Sequence, residues 1–201
     1  MTARRIRTQV AIVGAGPAGL TLAYLLHHVG IDASIIESRS RDYVEARVRA
    51  GVLEHGVTEL YSEIGIGKRM RSEGLVHHGI DLRFKGQSHR IDFAALTGKH
   101  VTVYGQQEMV KDLIAALLDL RVPIAFEMEA HTIAGLDDDR AIVHYRDCDG
   151  AEHVMEADYV VAADGFHGIG RKMIPADVLQ VHEHVYPFSW LGVLAESPPV
   201  S

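Results

Sequence analysis

Four apolar residues in a row, Val10-Ala11-Ile12-Val13, open directly into Gly14-Ala15-Gly16-Pro17-Ala18-Gly19. A helical apolar pattern follows from Leu20 to Val29. Leu20, Leu22, Ala23, Leu25 and Leu26 cover nearly every side of it, as a helix pressed onto a sheet requires. Gly30 ends the helix, and a second apolar run, Ala33 to Ile36, stops at an acid, Glu37. The order strand, glycine turn, helix, strand predicts a parallel β–α–β unit over residues 8–37.

The next stretch, Ser38 to Gly51, is polar and holds Arg39, Arg41, Arg47 and Arg49. Arg39 and Arg41 read as residues of a solvated loop. Arg47 and Arg49 alternate with Ala46, Val48 and Ala50, which puts both on one face of an extended segment. Gly51 and a helix over Val52 to Ile64 are predicted to follow. Residues 66–93 read as a short helix and then a hairpin, with Ile80, Leu82 and Phe84 alternating, a turn at Lys85-Gly86-Gln87, and His77-His78 at its opening. Val101 to Gly105 leads into a helix over Gln106 to Leu120, whose stripe is Val110, Leu113, Ile114, Leu117 and Leu118. Val122 to Phe126 is a third parallel strand. Residues 130–157 form an antiparallel meander, with turns at 137–140 and 147–151. Tyr159 to Ala163 has the unbroken hydrophobicity of a strand buried on both faces, and it ends at Asp164-Gly165. Phe188, Trp190, Leu191, Val193 and Leu194 predict a last strand within 182–201.

The glycine turn has the spacing of a dinucleotide site. Gly14 allows a sharp exit from the strand, Gly16 leaves room for a pyrophosphate beside the main chain, and Gly19 lets the helix approach the sheet. Pro17 suits the first helical turn, where its missing N–H is no loss. The remaining free N–H groups and the positive end of the helix dipole face the phosphates. Glu37 follows Gly19 by 18 residues, near the spacing of an acid that accepts hydrogen bonds from an adenosine ribose. A carboxylate there favours a free 2′-hydroxyl, as in FAD or NAD. A glycine-rich turn alone is weak support; here the strand, helix and terminal acid are all in register with it.

Composition narrows the class. A chain of 201 residues, 47% hydrophobic and 23% charged, is long enough to bury a real core. A net charge of −7 argues against a nucleic-acid surface. The basic start, Arg4 to Arg7, is too soon followed by a strand to be a targeting peptide, and no apolar run reaches the length of a membrane span. Cys148 is the single cysteine, so no internal disulfide can form, and a reducing cytoplasm is expected. The acids on either side of it disfavour a thiolate nucleophile. His27 and His28 are adjacent on a helix, which makes a poor metal pair, and no metal site is expected. Asp164 has two readings of equal weight: a ligand-facing acid at the C-terminal edge of a parallel sheet, or a turn and helix-capping acid.

The segments QVAIVGAGPAGL, DYVEARVRAGVLEHG, GLVHHGI, TVYGQ, DYVVAADGFHGIGR and VYPFSWLGVLAESPPVS together resemble the 4-hydroxybenzoate 3-monooxygenase family of FAD-dependent aromatic hydroxylases. The first is shared by many flavoproteins; the others are far more specific, and the resemblance runs over nearly the whole chain. It implies FAD as cofactor, NADPH as electron donor with NADH as the alternative, and 4-hydroxybenzoate and O2 as small-molecule partners. It implies cofactor contacts from Gly14, Gly16, Ala18, Gly19 and Glu37, and from the run Arg47, Val48, Arg49, Ala50, Gly51 and Val52. Gln106 would hydrogen-bond the FAD, Asp164-Gly165 would form a second fingerprint, and His167 would lie near the nicotinamide donor. His77 matches the outer end of a proton relay that deprotonates the substrate phenol, a task for a group titrating near neutral pH. The family's NADPH users carry a basic residue just after the ribose acid; this chain has Ser38, then Arg39, and keeps Tyr43.

The expected architecture is therefore α/β: a Rossmann-like FAD/NAD(P)-binding domain of three layers with an antiparallel meander over 1–180, interrupted by substrate-domain segments near 75–100. The start of a substrate-binding β-sheet domain is expected over 181–201. Family members continue past the position of Ser201, and Pro198-Pro199 is an abrupt place to leave a sheet, so a truncated enzyme, inactive as 201 residues and dimeric when whole, is expected. A stand-alone FAD-binding module without turnover and a hydroxylase of a related phenolic acid are the alternatives. A simple NAD-dependent dehydrogenase needs neither RVRAGVLE nor ADGFHG.

Overall fold

In a computed structural model, residues 5–189 and Leu191 are described. In chain order the elements are β1 (Arg5–Val13), α1 (Pro17–His28), β2 (Ala33–Ile36), α2 (Arg41–Ala46), β3 (Val52–Glu54), α3 (His55–Glu63), α4 (Lys68–Glu73), β4 (Leu75–His77), β5 (Gly79–Phe84) and β6 (Gln87–Asp92). Then come α5 (Phe93–Thr97), β7 (Val101–Val103), α6 (Gln106–Asp119), β8 (Ile124–Ala125), β9 (Glu129–Ala134), β10 (Ala141–Arg146), β11 (Glu152–Ala162) and a 3₁₀ turn (Gly170–Met173). They fall into two compact units, residues 1–48 with 107–178, and residues 49–106 with 179–201.

The first unit is built on a six-stranded sheet of order β8-β2-β1-β11-β10-β9. β1 runs parallel to β2 and β11, and β8 parallel to β2, so residues 8–37 form the predicted β–α–β unit. β9, β10 and the start of β11 are the antiparallel meander. The two faces of β1 fill two layers. Ala11 and Val13 pack in a cluster with Ile36, Ile133, Val143, Tyr145, Met155 and Ala157. Ile12 lies on the other face, under α1, where Gly19 comes so near that a Cβ there would sit 3.1 Å from the Ile12 side chain. In α6, Val110, Leu113, Ile114 and Leu117 are buried as the stripe predicts, whereas Leu118 is exposed.

The structure departs from the pattern-based reading in four places. Ser38 to Gly51 is not all loop: Ser40 caps α2, its hydroxyl accepting the Tyr43 N–H at 3.2 Å. The helix predicted from Val52 begins at His55, because Val52–Glu54 pairs with Val101–Val103 as a strand. The meander strand and the apolar run before Asp164 are one strand, β11, pairing with β10 over 152–157 and with β1 over 154–162. Its second half is not buried on both faces, since Tyr159 is 72% exposed. α5 escaped a periodicity reading because five residues are too few to show a period.

The second unit holds a three-stranded antiparallel sheet, β3-β7-β4, and the hairpin β5-β6. The hairpin turns on Lys85 and Gly86, both at positive φ, the two-residue turn that matches strand twist. Residues 182–189 carry neither helix nor strand, and Trp190, Val193 and Leu194 of the last predicted strand lie outside the described residues. No helix among the described residues is long and apolar enough to cross a membrane.

Candidate dinucleotide site

The three glycines of the loop are there for different reasons. Gly14 has φ +108, and a Cβ on it would lie 2.4 Å from the Ala163 carbonyl oxygen at the end of β11. A Cβ on Gly19 would lie 2.1 Å from the Gly14 carbonyl oxygen. Both are required by the fold. Gly16 is not: its φ is −79 and ψ 178, ordinary extended values, and a Cβ would meet nothing within 4 Å. No protein atom demands glycine at this position, and the open space beside its main chain is compatible with the close approach of a pyrophosphate.

The helix behind the loop suits an anion. α1 has 12 residues, starts with Pro17, carries no acid in its first turn, and has no side-chain cap on Gly16. The N–H groups of Ala18 and Gly19 therefore keep their hydrogen-bonding capacity for a ligand, at the positive end of the dipole. The Leu20 N–H is taken by the Gly16 carbonyl at 3.0 Å, so the helix proper begins there.

Glu37 is held beside this loop. Its Oε2 accepts the Ala15 N–H at 2.8 Å and its Oε1 accepts the Arg39 N–H, also at 2.8 Å. The carboxylate thus ties the glycine loop to the end of β2. Oε1 also accepts from the Ser38 hydroxyl at 3.3 Å, so it is Oε2 that keeps a further lone pair of the kind a ribose hydroxyl would use. The Ala15 contact was not legible in the sequence; the spacing from Gly19 located the acid but not its grip on the loop.

Asp164 Oδ2 accepts the Gly170 N–H at 2.9 Å, at the start of the 3₁₀ turn. Gly168 is pressed against it, so that a Cβ there would lie 1.9 Å from the carboxyl carbon. Gly165 sits at φ +74. His167 is exposed and meets the Phe166 ring edge-on at 5.0 Å, while the Arg171 guanidinium lies 4.6 Å from that ring's centre.

Tyr43 gathers two of the arginines. The guanidinium of Arg39 lies 5.4 Å and that of Arg47 5.9 Å from its ring centre. Arg39 is exposed in the bend before α2, as the solvated-loop reading expects, and from there it reaches the Tyr43 ring. Sequence alone could have signalled this only through the Ser40 cap, which starts the helix that presents Tyr43.

The remaining candidates lie at the boundary and in the second unit. Val48, Arg49 and Ala50 are exposed and without helix or strand. A Cβ on Gly51 would lie 2.3 Å from the Tyr104 carbonyl oxygen, and the Gly51 carbonyl accepts the Tyr104 N–H at 2.7 Å, so the glycine is required by that close approach. Val52, Val103 and Leu75 stand side by side across β3, β7 and β4, all exposed. His77 pairs with Val101 on the same face. Gln106 is the half-buried first residue of α6.

A sheet whose parallel first strand enters a glycine turn, with open space at the second glycine and an acid closing the next strand, defines a dinucleotide-binding α/β domain. Sequence comparison narrows the class: residues 7–201 match the family model described as FAD binding domain, and the chain belongs to that family. It is 41% identical over 197 residues to p-hydroxybenzoate hydroxylase of Acinetobacter baylyi, covering 98% of this chain and 48% of that relative. It is 28% identical over 197 residues to 3-(3-hydroxy-phenyl)propionate/3-hydroxycinnamic acid hydroxylase of Burkholderia cenocepacia, covering 94% of this chain and 35% of that protein. The chain thus spans half or less of the length of these relatives. Among solved structures, p-nitrophenol 4-monooxygenase of Pseudomonas putida superposes with a TM-score of 0.73 at 22% identity, covering 85% of this chain and 44% of that one. Anhydrotetracycline hydroxylase of Streptomyces rimosus gives 0.72 at 23%, covering 84% and 34%. At these identities the structures speak for the fold alone.

Proposed function

We propose that this chain is the FAD-holding part of a flavoprotein monooxygenase that hydroxylates 4-hydroxybenzoate to 3,4-dihydroxybenzoate with NADPH and O2. The observation that carries the reading is the 41% identity to a p-hydroxybenzoate hydroxylase over 98% of the chain, joined to a glycine loop whose Gly16 leaves open space beside the main chain. FAD, when bound, supplies the redox and oxygen-transfer chemistry. The chain's own work is to hold and orient. The Ala18 and Gly19 amides would bind the pyrophosphate, and Glu37 the adenosine ribose. Arg49 to Val52, Gln106, Asp164 and Gly165 are assigned to the rest of the cofactor by resemblance.

Two further roles have support in the geometry. Arg39 and Arg47 flank Tyr43, and two guanidiniums on one aromatic suit the 2′-phosphate of NADPH. That favours NADPH over NADH despite Ser38, with His167 near the donor. His77 stands at the edge of an exposed apolar face formed by Val52, Val103 and Leu75, a surface suited to flat aromatic groups. There it would pass the phenol proton outward. A cytoplasmic, dimeric enzyme is the setting this reading assumes.

The test is turnover by the protein expressed from its full reading frame. NADPH oxidation should rise on adding 4-hydroxybenzoate, with 3,4-dihydroxybenzoate as product, and the 201-residue chain alone should show neither. An FAD-loaded protein that oxidises NADPH at one rate with or without any hydroxybenzoate would overturn the reading in favour of a binding module.

A further inference from the structure

The second unit contains a cavity of about 360 Å³ that none of the roles above uses. One wall is a single face of α3, where His55, Thr58, Glu59, Ser62 and Glu63 recur at helical spacing. Opposite are Met70 and Arg71 of α4, Val76 of β4, Thr102 of β7, and His100. Val76 and Thr102 are a cross-strand pair, one residue out of step with His77 and Val101, so the cavity lies on the other face of the sheet from His77. It is therefore separate from the proton-relay face.

The donors and acceptors of that wall are lopsided. The Thr58 hydroxyl donates to the His55 carbonyl at 2.8 Å, and the Ser62 hydroxyl to the Thr58 carbonyl at 2.8 Å. With their hydrogens engaged, both oxygens can only accept from a ligand. His55 Nε2 lies 3.2 Å from the Glu59 carboxylate, while its Nδ1 is buried without a partner. With a proton on Nε2, towards Glu59, Nδ1 of the neutral ring is one more acceptor. Glu59 and Glu63 are exposed acceptors, and among the described residues Glu63 has no ion pair. Against these two carboxylates stands one lining cation, Arg71. The wall asks for a ligand rich in N–H donors and positive in charge, while Met70 and Val76 supply apolar surface for a methylene chain. A metal ion does not meet the demand, since no group of three His, Cys, Asp or Glu side chains among the described residues is placed to hold one.

We propose that this cavity binds a small organic cation, an aliphatic compound carrying primary ammonium groups. Each ammonium brings three donors and no acceptor, the complement of the α3 face. The probe is 1,4-diaminobutane, titrated calorimetrically into the full 201-residue chain at low ionic strength, with 1,4-butanediol and succinate as matched neutral and anionic controls. Saturable binding of the diamine alone is expected, with shifts of the His55 and His100 ring protons in NMR spectra. Affinity should fall by about tenfold or more in the Glu59→Gln/Glu63→Gln double variant, and with added salt. If the double variant does not melt cooperatively, Glu63→Gln alone serves the same purpose at an exposed position. Absence of saturable binding, affinity unchanged by the substitutions, or preference for succinate would each overturn the proposal.

Discussion

Replacing Gly16 by alanine separates what the glycine loop does for the fold from what it does for the cofactor. The backbone at residue 16 has φ −79, and an added Cβ would touch no protein atom within 4 Å. On the fold alone, Gly16→Ala should be neutral or slightly stabilising, by about 0.4–1 kcal/mol, because alanine narrows the unfolded ensemble. With FAD the sign reverses. The methyl would occupy the place where the pyrophosphate approaches the Ala18 and Gly19 amides. Two charge-assisted hydrogen bonds of roughly 1.5–3 kcal/mol each are at stake, and loss of about 3 kcal/mol is roughly a hundredfold in Kd. Gly19→Ala is the contrast: its Cβ would lie 2.1 Å from the Gly14 carbonyl oxygen, so the apo protein itself should be destabilised. Thermal melts of both apo variants, with FAD titrations followed by flavin fluorescence, give the four numbers needed. The reasoning fails if Gly16→Ala binds FAD within about threefold of wild type, or if it melts as early as Gly19→Ala.

Two other perturbations bear on the same unit. Glu37→Ala removes the acceptor of the Ala15 and Arg39 N–H groups as well as the ribose contact proposed above, so FAD affinity should drop by about tenfold or more and the apo melting temperature should fall too, unlike in Gly16→Ala. A variant with unaltered FAD affinity would remove Glu37 from the site. Asp147 supplies the pH dependence: the His153 ring at 3.0 Å, and then the Ala151 N–H, hold its carboxyl below the usual carboxylate range. A depressed folded-state pKa stabilises above the unfolded value, about pH 4, and the stabilisation is lost as pH falls through the folded value. In urea unfolding at stepped pH, the gap between wild type and Asp147→Asn should be full at pH 6 and close on acidification; a gap that persists at the acid end would refute this.

Much of the first unit was legible because its signals are local. The strand, turn, helix and acid of residues 8–37 lie in one stretch, and continuous burial goes with an unbroken apolar run at Val10–Val13 of β1 and a mostly apolar β2. What could not be read was set by partners distant in sequence. Val52–Glu54 carries no strand signal separable from the helix after it, and becomes a strand only because Val101–Val103 lies alongside. Arg39 is a loop cation as read, but its partner was hidden: the helix that Ser40 starts brings the Tyr43 ring beside it. The hydrogen bond from the Gly170 N–H to the Asp164 carboxylate was not legible either, since it belongs to a turn too short to announce itself.

β11 shows why a hydrophobic run is a poor guide to burial at a sheet's functional edge. Its first half alternates, with His153, Met155 and Ala157 buried, and this part lies between β10 and β1. Beyond Ala157 the β10 partner ends, while β1 continues alongside to Val13. The residues there stay apolar, yet Tyr159 is 72% exposed. The strand is nonetheless fixed at its end: the Ala163 N–H donates to the Val13 carbonyl at 2.8 Å, and the Ala163 carbonyl sits where a Gly14 side chain would be. The glycine loop is thus shaped from one side by β11 and held from the other by Glu37 on β2, the two neighbours of β1 in the sheet. A loop fixed from both sides presents its amides without having to order them on binding, which lowers the entropic cost of taking up a diphosphate. It follows that a bulkier side chain at Ala163, whose Cβ faces Gly19, should loosen cofactor affinity through the loop without touching the cofactor.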